Sequence, residues 1–374
     1  MKIAMIGHKR IPSRSGGVEV VVENLALRMA EAGHEVIAFN RKTRGDSARC
    51  NKYKYKGIAI VEIPTSSKKS LNALIYSIFA TVKALFGKFD VIHFHAEGPG
   101  VMVWLPKIFR IPTVITIHGL DWKRAKWGGI ASAYLKLGEK LAVKYADEII
   151  VLSHEMQNYF WKMYRRKTTY LSNGITCPGD REGEDEINEK YGIKKEEYIL
   201  FLARIVPEKC VHHLIEAYKK ISTEKKLVIS GGSSHSQTYF DSVRKLAKDD
   251  ERIIFTGFVE GKTLKELYEN AYIYVLPSEV EGMSVSLLEA MSYGRCCLVS
   301  NIPENLEVIG NSGYSFSCGN SEDLQEKLEY LLRMPQEVKK IGEKAKQLVS
   351  EQYSWNRVVE QTLELYSSAC EKKK

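Results

Sequence analysis

The sequence predicts an α/β protein made of two doubly wound parallel sheets. Short apolar segments alternate with helical patterns in each half of the chain, as a parallel sheet with helical crossovers requires. The 374 residues exceed what one hydrophobic core usually organises, so two domains and a cleft between them are expected. The polar and charged stretch 176–197 contains the predicted boundary, which gives a first domain at 1–175 and a second at 176–352.

The predicted strands are short apolar runs. In the first domain they cover residues 2–6, 35–39, 58–63, 90–95, 113–118, 148–152 and 169–171. In the second they cover residues 198–203, 226–230, 252–256, 272–276 and 297–299. Ligands of such sheets bind at the carboxyl ends of the strands, so polar residues that follow a strand are the candidate site residues.

The most informative motif follows the predicted strand 272–276. Gly282 frees the backbone of the loop, and Ser284 can cap the helix that comes next. N–H groups at a helix N-terminus favour an anion, and a diphosphate is a biological anion of suitable size. Glu289 lies inside this helix, where its carboxylate can accept hydrogen bonds from ribose hydroxyls, while Glu281 can accept them from a sugar. The alternative is that Glu281 is solvated and Glu289 pairs with a surface lysine.

Two cations follow the predicted strand 198–203. Arg204 and Lys209 would lie at the carboxyl edge of the sheet, where they can neutralise the same diphosphate. Positive charge at this position would stabilise a nucleoside diphosphate as a leaving group without a metal ion. Either residue alone could equally be an ordinary partner in a surface ion pair.

A glycine pair and a strand-end histidine are the candidates of the first domain. Gly16 and Gly17 permit close approach of the backbone, and the helix after them would direct its N-terminus toward the donor diphosphate or the acceptor. A simple tight turn would use the same glycines. His118 ends an apolar strand, and its ring can bond a sugar hydroxyl or orient an acceptor. The alternative is a structural hydrogen-bond partner.

A pair of histidines on one strand raises the question of a metal. His93 and His95 are two residues apart and share a face. No carboxylate or cysteine accompanies them at ligand spacing, so we predict no metal and assign His95 to the polar lining of the cleft. The seven cysteines have no Cys-x-x-Cys spacing, which argues against a zinc site and a disulfide framework and favours a reducing cytoplasm. The first strand begins at residue 2, so no signal peptide is expected.

Together these motifs resemble the retaining glycosyltransferases of family 4. In the second domain the resemblance is carried by Arg204 and Lys209 with Glu281-Gly-Met-Ser and Glu289. In the first domain, segment 2–19 resembles the strand, glycine loop and helix start of that family. The resemblance implies the GT-B fold, in which two Rossmann-like domains face a central cleft.

Further segments extend the resemblance over nearly the whole chain. Thr116-Ile-His-Gly119 is similar to the strand-end histidine of the family, and Tyr353-Ser-Trp355 to the start of its crossover helix, which implies that helix 353–374 returns to the first domain. The variant His-Lys-Arg-x-Pro resembles a bacterial polysaccharide subgroup that includes rhamnosyltransferases. Family members usually have Phe-Gly where this chain has Met283-Ser284, which leaves the contacts to the sugar open.

The resemblance also implies which residues act. The donor-binding residues would be Gly16, Gly17, Arg204, Lys209, Glu281, Gly282, Met283, Ser284 and Glu289. The acceptor-side residues would be Gly17, His95 and His118. Of these, His118, Arg204, Lys209 and Glu281 would be catalytic.

The expected activity is a metal-independent, cofactor-free transfer with retention of anomeric configuration. A hexose or deoxyhexose would move from dTDP-rhamnose or a UDP-hexose to a hydroxyl of a saccharide, expected to be lipid-linked, in surface polysaccharide biosynthesis. The chain has no Asp-x-Asp triplet of the kind that metal-dependent sugar transferases use. A nonhydrolysing sugar-nucleotide epimerase and a catalytically silent sugar-nucleotide-binding protein remain alternatives. A nicotinamide dehydrogenase is disfavoured because the first strand lacks a compact G-x-G-x-x-G.

The net charge of +9 suggests an anionic surface partner. A helical stripe made of Leu71, Leu74, Ile75, Ile78, Val82 and Leu85 is flanked by lysines. We expect this stripe to face the core, with a helix lying in the membrane interface as the alternative. Segments 123–127 and 161–167 mix cations with aromatics and can hold anionic headgroups or a lipid diphosphate. The expected location is cytoplasmic and peripheral at the inner face of the plasma membrane. No nucleic-acid recognition motif accompanies the charge, so no nucleic-acid partner is expected.

Overall fold

The chain folds into two compact units in the computed structural model, which describes residues 1–42, 52–66, 69–123, 128–179, 186–233 and 236–372. One unit comprises Met1–Gly174 and Trp355–Lys374, and the other comprises Ile175–Ser354. Each unit is built on a largely parallel sheet with helices between most successive strands. The predicted α/β class with two doubly wound domains is therefore confirmed.

The described strands of the first unit form one eight-stranded sheet. They are β1 (Lys2–Ile6), β2 (Glu35–Arg41), β3 (Lys52–Tyr55), β4 (Ile58–Ile63), β5 (Val91–His95), β6 (Thr113–Ile117), β7 (Glu148–Val151) and β8 (Thr169–Tyr170). Their order is β3-β4-β2-β1-β5-β6-β7-β8, and all neighbours are parallel except β3 and β4. The expectation of a wholly parallel sheet missed β3, because this Lys-Tyr-Lys-Tyr edge strand alternates exposed with half-buried residues and has no apolar run.

Among the described residues of the first unit, six α-helices precede the crossing into the second. They are α1 (Gly17–Glu31), α2 (Lys69–Leu85), α3 (Glu97–Gly100), α4 (Trp104–Ile108), α5 (Gly129–Tyr145) and α6 (His154–Tyr164). No helix in the part of the chain that the structure describes is both long and apolar enough to cross a membrane.

The orientation of α2 corrects the prediction that its apolar stripe faces the core. Its buried face is formed by Tyr76, Ser77, Ala80, Thr81 and Ala84. Two members of the predicted stripe, Ile78 and Val82, are exposed, as are their neighbours Phe79 and Phe86. Small side chains let α2 approach α3 and the sheet closely, and the Tyr76 hydroxyl donates a hydrogen bond to the Phe39 carbonyl. The helix is apolar on both faces, so its pattern could not decide which face is buried.

The second unit contains a six-stranded sheet that is parallel throughout. Its strands are β9 (Tyr198–Leu202), β10 (Lys226–Ser230), β11 (Ile253–Gly257), β12 (Ile273–Leu276), β13 (Cys296–Ser300) and β14 (Tyr314–Phe316). Its helices are α7 (Glu186–Tyr191), α8 (Val211–Lys219), α9 (Gln237–Ala247), α10 (Gly261–Asn270), α11 (Val285–Ser292), α12 (Pro303–Ile309), α13 (Ser321–Arg333) and α14 (Pro335–Gln352). The short edge strand β14 was not predicted.

The last helix, α15 (Trp355–Glu371), belongs to the first unit. It packs against α1, where the Arg28 guanidinium lies 5.6 Å from the centre of the Trp355 ring. It also reaches the sheet, because the Tyr366 hydroxyl lies 2.6 Å from Nδ1 of His93 on β5.

Each sheet has one place where the strand order reverses, and these places position the candidate residues. The second sheet has the order β11-β10-β9-β12-β13-β14, so the chain leaves β9 toward one side and returns with β12 on the other. The first sheet reverses in the same way between β1 and β5. Loops that leave the carboxyl ends of the strands at a reversal diverge and leave room for a ligand.

Candidate functional site

In the second unit, the loops after β9 and β12 bring opposite charges together. Lys209 ends a 3-10 turn, Pro207–Lys209, after β9, and its Nζ donates a hydrogen bond to Oε1 of Glu281 in the loop after β12. The two side chains are only 12% and 8% exposed. The backbone N–H of Glu279 also donates to the Glu208 carbonyl at 3.0 Å, so the two loops are joined at two points.

This ion pair was not predicted, since the sequence assigned Lys209 to a diphosphate and Glu281 to a sugar. A half-buried lysine without a partner would lower the stability of the fold, and the nearby carboxylate of Glu281 supplies that partner. Arg204 differs from Lys209. Its half-buried guanidinium has no hydrogen bond or ion pair with any other residue in the described ranges. The site therefore combines one paired and one available cation.

The loop after β12 ends in the predicted helix cap. The Ser284 hydroxyl accepts a hydrogen bond from the Leu287 N–H at 3.4 Å, which confirms Ser284 as the N-cap of α11. Ser284 Oγ also lies 3.1 Å from Ser286 Oγ, which accepts from the Tyr274 hydroxyl at 2.8 Å. Burial holds the pKa of Tyr274 well above its ordinary value, so this phenol stays a neutral donor. Gly282 and Met283 are buried, and the start of α11 is rigidly supported.

Glu289 lies one turn further along α11. Its Oε2 accepts a hydrogen bond from the Tyr268 hydroxyl at 3.0 Å. The Tyr268 ring stacks on Tyr293 with 5.7 Å between centroids, so the donor is fixed in place. The sequence suggested a surface lysine as the alternative partner, whereas the structure provides a buried tyrosine. The tyrosine hydroxyl orients the carboxylate, whose other acceptor positions can take further hydrogen bonds.

In the first unit, the glycine loop after β1 is held by close backbone approach. Gly7 has a φ of +129°, and a Cβ there would lie 2.1 Å from the His95 carbonyl oxygen, so only glycine fits. Gly16 is the N-cap of α1 and Gly17 is its first residue. The Glu19 carboxylate folds back over Gly16 and accepts a hydrogen bond from the Lys9 N–H at 2.9 Å. Gly16 therefore leaves space for Glu19, which fastens the loop to the helix.

The histidines of β5 and the loop after β6 form a stacked series. His118 is half-buried, and its Nε2 lies 3.1 Å from Nδ1 of His95. His93 is fully buried, with Nδ1 on Tyr366 and Nε2 2.8 Å from the Thr116 hydroxyl. Burial lowers the pKa of His93 to about 3 and holds that of His95 well below its usual range, with neighbouring histidines adding to the effect. Both rings are neutral at pH 7.

The burial of His95 corrects its assignment to the lining of a cleft. The side chain has no solvent exposure, because β5 is an inner strand that is covered on both sides. His95 therefore contacts His118 from the interior of the first unit. His118 is the member of the series that remains accessible.

Several buried polar residues beside these loops were missed by sequence reasoning. His8 has no solvent exposure, and burial lowers its pKa to about 4 against the opposing charge of Glu19. Glu97 follows β5 and is also fully buried; burial, reinforced by Asp121 and Glu139, raises its pKa to about 10. Both residues could have been identified from the sequence. His8 follows Gly7, just after the predicted strand 2–6, and Glu97 follows Ala96, just after the predicted strand 90–95.

Comparison with known proteins agrees with this architecture. The family model "Glycosyl transferases group 1" matches residues 183–348, and the model "Glycosyltransferase Family 4" matches residues 15–177. The chain is a family 4-like glycosyltransferase of the GT-B type. An uncharacterized glycosyltransferase of Methanocaldococcus jannaschii is 28% identical to this glycosyltransferase over 99% of each chain. N-acetyl-alpha-D-glucosaminyl L-malate synthase of Bacillus anthracis is 26% identical over 94% of this chain and 93% of its own length.

A solved structure shows the same fold. Anabaena HepE in complex with UDP-glucose has a TM-score of 0.80 and 16% identity, covering 98% of this chain and 99% of its own. The predicted GT-B fold is therefore confirmed.

Proposed function

We propose that this glycosyltransferase moves a hexose or deoxyhexose from a nucleoside diphosphate to a hydroxyl of a lipid-linked saccharide, with retention of configuration and without a metal ion in the reaction. The observation that carries the proposal is the reversal point between β9 and β12, where Arg204, the Lys209–Glu281 pair and the capped start of α11 share one sheet edge. The complex of HepE with UDP-glucose supports a sugar nucleotide as the donor. The resemblance of the first loop to rhamnosyltransferases favours dTDP-rhamnose, with UDP-hexoses next.

The leaving diphosphate is assigned to the two cations. Arg204 is available among the described residues, and the donor phosphates compete with Glu281 for Lys209. As the sugar bond breaks, negative charge builds on the bridging oxygen, and fixed cations in a half-buried site stabilise that charge more than water does. The N-terminus of α11 adds the dipole of the helix on the same side.

The remaining donor contacts depend on the donor phosphates replacing Glu281 as the partner of Lys209. Once Lys209 binds phosphate, the Glu281 carboxylate is released to accept hydrogen bonds from sugar hydroxyls, with the backbone of Gly282 and Met283 beside it. Glu289, oriented by Tyr268, accepts from the ribose hydroxyls. Gly16 and Gly17 present the uncapped backbone N–H groups of α1 to an anion.

The acceptor is assigned to the first unit at Gly17 and His118. The neutral His95 ring fixes the orientation of His118 through the 3.1 Å contact between their nitrogens. His118 can then accept a proton from, or donate a hydrogen bond to, an acceptor hydroxyl, according to its tautomer.

A lipid-linked acceptor is supported by the exposed apolar face of the first unit. Phe79 and Phe86 of α2 are 51% and 81% exposed, and Ile108 and Phe109 at the end of the neighbouring α4 are 66% and 56% exposed. The exposed cations Lys83, Lys88 and Arg110 accompany them. Apolar side chains among cations suit the interface of an anionic membrane. The cationic segment 123–127 lies largely outside the described residues.

The proposal is tested by incubating the purified protein with UDP, dTDP and GDP and their common sugar conjugates in the presence of EDTA. We expect one nucleotide family to raise the melting temperature and its sugar conjugate to be hydrolysed slowly. Interconversion of the donor without release of diphosphate would instead identify an epimerase, and binding without turnover a silent binding protein.

A further inference from the structure

Three potential metal ligands meet beside the donor loops of the second unit. The ligand atoms of Cys210, His213 and Glu279 lie within 4.8 Å of one another. Cys210 directly follows the 3-10 turn Pro207–Lys209, His213 lies in the first turn of α8, and Glu279 lies in the loop after β12. The group therefore joins the same two loops that carry Lys209 and Glu281, without including either residue.

We propose that Cys210, His213 and Glu279 form a zinc-binding site that fastens the loop after β9 to the loop after β12. Thiolate, imidazole and carboxylate are the ligands that Zn²⁺ takes, whereas Mg²⁺ and Ca²⁺ favour oxygen alone. With bonds of about 2.0–2.3 Å, the ligands of a tetrahedral zinc lie roughly 3.3–3.8 Å apart. A contraction of about 1.0–1.5 Å at most brings the three atoms to that spacing, which rotation of the three side chains can supply.

The hydrogen bonds behind His213 prepare it as a ligand. Its Nδ1 lies 3.0 Å from the Ser321 hydroxyl, and that hydroxyl donates its own hydrogen to Oε2 of Glu216 at 3.0 Å. Ser321 Oγ can therefore only accept from His213, so Nδ1 carries the proton and Nε2 keeps its lone pair. A carboxylate or hydroxyl that fixes the tautomer in this way is the usual support of a metal-bound histidine.

The backbone of Cys210 supplies an independent observation. Cys210 has φ 49° and ψ 35°, in the left-handed region that favours glycine, and yet it carries a thiol that is almost fully buried. Zinc binds the thiolate form of a cysteine, so binding at this site releases a proton and tightens as the pH rises.

Cys318 is the candidate for the fourth ligand. It lies in the exposed loop after β14, three residues before Ser321, whose hydroxyl lies 3.0 Å from Nδ1 of His213. Its backbone N–H donates to Oδ1 of Asn301 at 2.9 Å, which holds the loop. The spacing Cys210-x-x-His213 is a sign of this site in the sequence, although it differs from the Cys-x-x-Cys spacing of many zinc sites.

The test is a Zn²⁺ titration of the metal-free, tag-free full-length protein by calorimetry, with competition against a chromophoric chelator. We expect one Zn²⁺ per chain, release of protons on binding, and an affinity that rises with pH. His213→Ala and Cys210→Ser should each weaken binding at least about 100-fold, and Ser321→Ala about 10- to 100-fold. Replacing zinc by Co²⁺ should give a thiolate charge-transfer band that Cys210→Ser abolishes.

His212→Ala is the matched control, because His212 is the adjacent residue on α8 but bonds the Tyr239 hydroxyl instead of joining the group. It should retain the affinity of the unchanged protein, and circular dichroism should show that all variants are folded. Cys318→Ser decides between a protein ligand and water in the fourth position. Zinc should also slow hydrogen exchange at residues 207–213 and 279–281.

The proposal is overturned if the unchanged protein binds no Zn²⁺, or if His212→Ala weakens binding as much as His213→Ala does. Binding that persists in both His213→Ala and Cys210→Ser also overturns it, because the ion would then lie elsewhere. None of these readouts depends on the donor or the acceptor, so the zinc site and the proposed transferase reaction are tested separately.

Discussion

Replacing Lys209 by alanine should damage both the stability and the activity of this glycosyltransferase. The change leaves the Glu281 carboxylate, which is 8% exposed, without its cation. Breaking a buried ion pair costs about 3–5 kcal/mol, and the remaining exposure of both side chains places the expected loss of unfolding free energy near the lower end, about 3 kcal/mol. The lost contact to the leaving diphosphate should remove a further 2–4 kcal/mol, roughly, of transition-state stabilisation, which is about 30- to 900-fold in kcat/KM.

Two companion variants separate these effects. Lys209→Met with Glu281→Gln removes both charges, so it should recover most of the stability but none of the activity. Arg204→Ala should lower kcat/KM by a similar factor with little effect on stability, since Arg204 has no polar partner among the described residues. Urea unfolding measures stability, and release of nucleoside diphosphate from the donor in EDTA measures kcat/KM. An unchanged kcat/KM in both Arg204→Ala and Lys209→Ala would refute the leaving-group assignment.

Three further predictions concern other parts of the molecule. Glu289→Ala should mainly weaken nucleotide binding, while Tyr268→Phe should cost only about 1 kcal/mol of affinity; calorimetry with the nucleotide checks both, and unchanged affinity in Glu289→Ala would remove the ribose role. Since the pKa of His93 is about 3 in the folded protein and about 6.5 unfolded, stability should fall as the pH drops below 6.5, by up to about 1.4 kcal/mol per unit for this residue. A shallower slope in urea titrations of His93→Asn would agree, and an identical slope would not. Association with anionic vesicles, measured by sedimentation, should weaken as salt is added. It should also drop about 10-fold or more in a double variant, Phe79→Ser with Phe86→Ser. Equal binding to neutral and anionic vesicles would contradict the proposed attraction between the protein's cations and anionic lipids.

The central strands could be predicted because each is a continuous apolar run. The predicted bounds of β1, β4 and β10 agree with the structure, and nearly all of their residues are buried. The edge strands β3 and β14 were not predicted, because neither is a continuous apolar run. Their residues are largely half-buried or exposed, and they form strands because a neighbour offers free backbone hydrogen bonds. That information lies in the partner strand and not in the segment itself.

In the candidate site, the sequence allowed the positions of the polar residues to be predicted but not their hydrogen-bond partners. Arg204, Lys209 and Glu281 of the second unit and His118 of the first could be proposed as candidates, because polar residues that follow the strands of a parallel sheet lie at one edge of that sheet. Their partners were not predictable, since hydrogen bonds depend on side-chain directions that only packing sets. The pairing of Lys209 with Glu281 and the full burial of His95 are examples. The exposed face of α2 is another, because a helix that is apolar all round has two faces fit for burial.

The Lys209–Glu281 pair joins the residue assigned to the diphosphate to the residue assigned to the sugar, which has consequences for donor selection. A bare nucleoside diphosphate that takes Lys209 leaves the Glu281 carboxylate unpaired beside an anion, whereas a complete sugar nucleotide supplies hydroxyls to that carboxylate. Under the proposed assignment, the pair would penalise binding of the product and favour binding of the substrate. Glu281→Gln removes the penalty, so it should tighten binding of the bare nucleoside diphosphate while lowering turnover of its sugar conjugate. Calorimetry with both ligands tests this reasoning, and a parallel loss of affinity for the two would show that Glu281 serves only to position Lys209.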